Sequence, residues 1–145
     1  MKDKMTMAIF LKHSEVLQCL PDWQPMIRLM SISDDQFEAY TRQVQVILTT
    51  GQFYIPVQWM DHLALDEVYR RTQNLDRPWH PNQYRSMSVG DLILKMWTDE
   101  TGSTGKWFIT MPIGFREINI DISEVTLLQS FWDVMEDLST TIMEV

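Results

Sequence analysis

One cysteine, three histidines, five glycines and no long apolar run leave several chemistries short of material in this sequence of 145 residues. The lone Cys19 cannot form an intrachain disulfide, which fits a reducing compartment. Its neighbours Leu17 and Leu20 suggest a small buried thiol, with no histidine close in sequence to activate it. No apolar stretch approaches the roughly 20 residues that a spanning helix needs. The short apolar run after the first lysines is broken by Lys12 and His13, too early for a signal-peptide core. The expectation is a cytoplasmic chain with no membrane contact.

Catalytic signatures are equally scarce. There is no Gly-x-Ser-x-Gly elbow and no glycine-rich phosphate loop. His13, His62 and His80 are far apart; His62 and Asp66, with Asp61, form the best local cluster, and a solvated helix start accounts for it better than a metal. The expectation is no catalytic residue, no metal and no cofactor. Cations are also missing from one end: residues 117–145 hold seven Asp and Glu and no Lys or Arg, so most of the net charge of −8 lies there.

What is present describes a globular chain. Hydrophobic residues make up 45% and aromatics 11%, which argues against disorder. The length fits one domain, 1–145, and no repeat is visible. Eleven methionines suit adaptable core filling, or an adaptable binding surface.

Patterning predicts a first strand over Thr6–Lys12, a turn of helix over Ser14–Leu20 stopped by Pro21, and a strand over Met26–Ile32. Ser33-Asp34-Asp35 suits the cap of a short helix. Val44, Val46 and Leu48 alternate with Gln43, Gln45 and Ile47, which predicts a strand, paired across Gly51 with Phe53–Trp59; Pro56 makes that second run an edge strand or a loop. Leu65, Val68, Tyr69 and Thr72 predict a short amphipathic helix ended before Pro78 and Pro81. Gly90-Asp91 predicts a turn into strand Leu92–Trp97. The polar Asp99–Gly105 predicts a hairpin loop, and Trp107–Ile113 the return strand, followed by a bulge or close approach at Gly114.

Val125, Leu128, Phe131, Trp132, Met135, Leu138 and Ile142 recur at three- and four-residue steps. They predict an acidic C-terminal helix at about 123–143, with Asp133, Glu136 and Asp137 turned outward. The whole predicts an α+β fold: a single domain whose mostly antiparallel sheet of about five strands is packed by the long C-terminal helix and a shorter one.

Two stretches carry binding chemistry. Arg70, Arg71, Arg77 and Arg85 interleave with Tyr69, Trp79, His80 and Tyr84, a mixture that can hold phosphates and stack bases. The pI near 4.7 removes the non-specific attraction that such binding uses. The outward carboxylates Asp133, Glu136 and Asp137 could meet a basic partner, and the apolar stripe could meet a second copy. Ser86, Ser88 and Asp91 are expected to hydrogen-bond the local backbone.

The pattern Asp66-Glu67-Val68-Tyr69, Asn74, Asp76-Arg77-Pro78, Ser86-Met87-Ser88-Val89-Gly90-Asp91 and Gly114-Phe115-Arg116-Glu117-Ile118 resembles the YodL-like domain family over residues 65–118. Members are small proteins and domains carried by plasmids, integrative elements and phages. The Ser-x-Ser-Val-Gly-Asp and Gly-Phe-Arg-Glu pair is the most specific part, which marks Ser86, Ser88, Gly90, Asp91, Gly114 and Phe115 as structural motif residues. The resemblance implies a mobile-element context and brings no reaction with it. In that context the expectation is a non-enzymatic protein that binds a host protein and inhibits a defence system of the CRISPR or restriction type. The alternative is a nucleic-acid or nucleotide-binding module built on Tyr69–Arg85.

Overall fold

A computed structural model describes residues 3–12, 14, 15, 18, 33–50, 53–61, 64–99 and 102–120. In chain order they give β1 (Asp3–Leu11), α1 (Asp34–Thr50), β2 (Tyr54–Asp61), α2 (Leu65–Arg71), β3 (Leu92–Asp99), β4 (Gly102–Thr110) and β5 (Phe115–Ile118). The strands form one antiparallel sheet in the order β2-β1-β3-β4-β5.

The sheet is covered on both faces, which explains why Met7–Leu11 of β1 is continuously apolar instead of alternating. Met7, Ile9 and Leu11 point to one face, where they pack with Phe37, Tyr40, Val44, Ile47 and Leu48 of α1 and with Leu92, Leu94, Trp107 and Ile109. Ala8 and Phe10 point to the other, where Val68 of α2 and Met87, Trp79 and Tyr84 of the following segment cover them. Side chains alternate along a strand, so one run of five buried residues feeds two cores.

The edge strand β2 contains a bulge. Ala8 pairs with Gln58 and Ile9 with Pro56, so Val57 is the extra residue. The insertion shifts the side-chain parity. Tyr54 and Trp59, five positions apart, therefore join the same core. Pro56 lies on an edge strand, where a missing N–H is tolerated.

Several sequence expectations are corrected. Gln43–Thr49 is not a strand: it is the C-terminal part of α1, so the hairpin across Gly51 is replaced by a helix-to-strand connection. Ser33 caps this helix reciprocally with Gln36: Gln36 N donates to Ser33 Oγ at 3.3 Å, and Ser33 N donates to Gln36 Oε1 at 3.0 Å. The buried positions 37, 40, 44, 47 and 48 have helical spacing, and Val46, 64% exposed, breaks the apparent alternation.

The packing of the sheet is corrected as well. Among the described residues the sheet is packed by α1, which precedes β2, and by α2, where a long C-terminal helix is predicted to cover it. Residues 121–145, with the predicted helix and Asp133, Glu136 and Asp137, lie outside the described residues, as do Cys19 and the predicted strand Met26–Ile32. The predicted loop Asp99–Gly105 is mostly strand: Asp99 pairs with Gly102 and Met96 with Gly105. The return strand ends at Thr110, not Ile113. Among the described residues no helix is long and apolar enough to cross a membrane.

Candidate functional site

Helix α2 starts with Asp66 and Glu67 and ends with Arg70 and Arg71, each sign at the dipole end that favours it. Thr72 closes its last turn by donating its hydroxyl to the carbonyls of Val68 and Tyr69, both at 3.0 Å. The segment after it returns to the helix end, where Met87 N donates to Thr72 O at 3.1 Å.

Asn74 ties the neck of this loop. Its backbone N donates to Ser86 Oγ at 2.7 Å, its Nδ2 to Tyr84 O at 2.9 Å, and its Oδ1 accepts from Trp79 N at 2.9 Å. A compact loop with its ends held together results. Its aromatic residues turn inward. Trp79 lies 5.8 Å from Phe10 of β1, 5.1 Å from His80 and 6.4 Å from Tyr84, ring centroid to centroid, and its indole N–H donates to Arg85 O at 2.9 Å. His80 is buried, and burial pushes its pKa below 6.5. Its Nδ1 accepts from Asn82 N at 3.0 Å, which requires that nitrogen to be unprotonated.

The outer surface of this loop and the last turn of α2 bound an open cleft of about 670 Å³, lined by Arg70, Arg71, Leu75, Arg77, Trp79 and His80 among others. Glu67 joins two of the arginines. Its carboxylate accepts from Arg70 Nε at 3.0 Å and Arg71 Nε at 2.9 Å, with a further contact to Arg70 Nη2. Hydrogen bonds from Arg70 and then Arg71 lower its pKa to about 2. The spacing i to i+3 and i+4 made this readable from the sequence. Arg77 is exposed and has no ion pair among the described residues.

Arg85 does not line the cleft. Its guanidinium enters the end of the sheet and meets Asp91 at 2.6 and 2.7 Å, the carbonyl of Leu11 at 2.7 Å and Ser88 Oγ at 3.2 Å, over the ring of Phe10. Asp91, fully buried, also accepts from Leu11 N at 2.9 Å and Ser88 N at 2.8 Å. The predicted Arg/aromatic patch is therefore split. Arg70, Arg71, Arg77 and Trp79 share one cleft, and Arg85 holds the fold.

The motif residues gather at the same end of the sheet. Ser88 to Asp91 is a turn closed by Asp91 N donating to Ser88 O at 3.1 Å, with Gly90 at φ 94°. Gly90 N donates to Thr110 O and Thr110 N to Asp91 O, both at 2.9 Å. Thr110 pairs with Phe115 across a connection closed by Met111 N donating to Gly114 O at 3.0 Å, with Gly114 at φ 72°. The Ser-x-Ser-Val-Gly-Asp and Gly-Phe-Arg-Glu segments thus meet at Thr110. Phe115 contacts Tyr69 edge-on at 6.4 Å, beside a smaller pocket of about 290 Å³.

The hydroxyls of Ser86 and Ser88 serve Asn74 and Arg85. Among the described residues no three His, Cys, Asp or Glu side chains gather to hold a metal; His62 lies outside them. Comparison of the chain with protein-family models, with curated proteins and with solved structures finds no match.

Proposed function

We propose that the chain is a non-enzymatic binding protein of a mobile genetic element, acting by protein–protein contact on a host factor in a counter-defence role. The carrying observation is the cleft: Arg70, Arg71 and Arg77 converge there beside Leu75, which is 80% exposed. Cations mixed with an exposed apolar side chain suit a protein surface. The side chains that nucleophilic chemistry would draw on, Ser86, Ser88 and Asp91, are engaged in the local fold. The mobile-element setting rests on the resemblance of residues 65–118.

The test is capture of a partner from a bacterial host on the immobilised chain, followed by direct binding of the purified partner. A single stoichiometric partner bound by the pure chain supports the reading. A chain that binds no host protein, or releases a chemically altered small molecule from an extract, overturns it.

A second reading, a nucleic-acid or nucleotide-binding module, draws on the same three arginines. The ring contacts weaken it: Trp79 and His80 reach the cleft, but they pack against one another and against Tyr84, which leaves less ring face for stacking bases. Titration with labelled single- and double-stranded oligonucleotides at low salt decides between the two.

A further inference from the structure

The cleft is locally basic on an acidic chain. Arg70, Arg71 and Arg77 line it against one acid, Asp76, while the chain carries a net charge of −8. A long polyanion would meet repulsion beyond the cleft; a short acidic ligand would meet mainly the cleft. The cleft is open on one side, which suits an extended segment better than an enclosed small molecule. Leu75, Pro78 and Pro81 add apolar surface along it. Arg70 and Arg71 are held by Glu67, a carboxylate of the chain itself, so an incoming carboxylate meets cations that already have a counter-ion.

We infer that the cleft between α2 and the 74–86 loop receives an acidic, extended segment of the partner protein, with Glu67 as the built-in competitor for Arg70 and Arg71. This rests on the reading of the chain as a protein-binding module. The ligand's carboxylates reach Arg77 directly and share the guanidinium groups of Arg70 and Arg71 with Glu67. Its apolar side chains lie on Leu75 and the two prolines. Removing the charge of Glu67 leaves the cleft more positive, so binding tightens.

The experiment titrates the full chain with a labelled short peptide of alternating Glu and Leu, its Gln/Leu counterpart, and a labelled single-stranded oligothymidylate, by fluorescence anisotropy. The expected result is binding of the Glu peptide that weakens with salt and is absent for the Gln peptide. Arg77→Gln weakens it about tenfold, and Glu67→Gln tightens it about two- to fivefold. Arg77 is exposed, so its variant folds, and an unchanged melting curve verifies that. Equal binding of the Glu and Gln peptides, weaker binding by Glu67→Gln, or tighter binding of the oligonucleotide than of the Glu peptide overturns the inference. The same variants in the host capture separate the two levels. A partner retained by Arg70→Gln/Arg77→Gln keeps the protein-binding reading and overturns this cleft as its site. A Glu-peptide signal without any host partner overturns the protein-binding reading instead.

Discussion

Arg85 and Asp91 close on one another through both carboxylate oxygens, and between them they take both backbone polar groups of Leu11: Asp91 Oδ1 accepts its N–H at 2.9 Å and Arg85 Nη2 donates to its carbonyl at 2.7 Å. β1 pairs with β3 only as far as Ile9 and Leu92. At Leu11 two side chains take over what a strand backbone would do, so the ladder ends with its hydrogen bonds made.

Asp91→Ala is therefore expected to destabilise the domain by about 3 kcal/mol, since it strands the N–H groups of Leu11 and Ser88 and a guanidinium. Arg85→Gln costs less, because the Arg85 side chain is 38% exposed and the carboxylate keeps its two N–H donors. Urea unfolding of both variants gives the order; equal costs would mean that the carboxylate's other bonds add nothing.

The two glycines of the motif are expected to behave differently. Gly90→Val should cost about 1 kcal/mol or more, because a β-branched residue resists a φ of 94°. Gly114→Asn should stay within about 0.5 kcal/mol, because asparagine tolerates the left-handed region and a Cβ at Gly114 meets nothing within 4 Å. Melting temperatures of the two variants check this.

Helix α1 gives a test of its own. Val46→Lys is expected to be neutral within about 0.5 kcal/mol, since Val46 faces solvent. Val44→Lys, two positions away and fully buried, should cost about 3 kcal/mol or more. A strand would place both on one face and make the costs alike.

His80 sets an acid limit. Its folded pKa lies below the ordinary 6.5, so the unfolded chain binds its proton more readily. The stability that neutral His80 contributes is complete above 6.5 and is lost as pH falls through the lower folded value. Protonation also removes the acceptor for Asn82 N. The cleft cations Arg70, Arg71 and Arg77 oppose the new charge, and Asp76 partly offsets them. The melting temperature should fall on acidification from 6.5 toward the lower folded value, and His80→Phe should flatten the fall. Loss of the Glu67 contacts comes at lower pH, between the ordinary 4.5 and about 2.

The sequence by itself determined the hairpin of β3 and β4, strand β1, helix α2 and the glycine turn at Gly90. These are local matters: apolar runs, charges at the ends of one short helix, and a turn whose φ favours glycine. It also held the spacing of Phe37, Tyr40, Val44, Ile47 and Leu48, but the alternation of Val44, Val46 and Leu48 imitated a strand, since positions four apart share a face in a helix and in a strand alike and the intervening Val46 is apolar though exposed. The tertiary structure alone decided which side chains of residues 69–85 face outward. Nothing in the spacing of Trp79, Tyr84 and Arg85 says that Phe10 and Leu11, some seventy positions earlier, draw them inward. That outcome depends on which face of β1 lies uncovered, and burial of its apolar surface and its two unpaired backbone groups favours the aromatic rings and the guanidinium turning inward. Arg70, Arg71 and Arg77 have no such demand upon them, and they remain at the cleft.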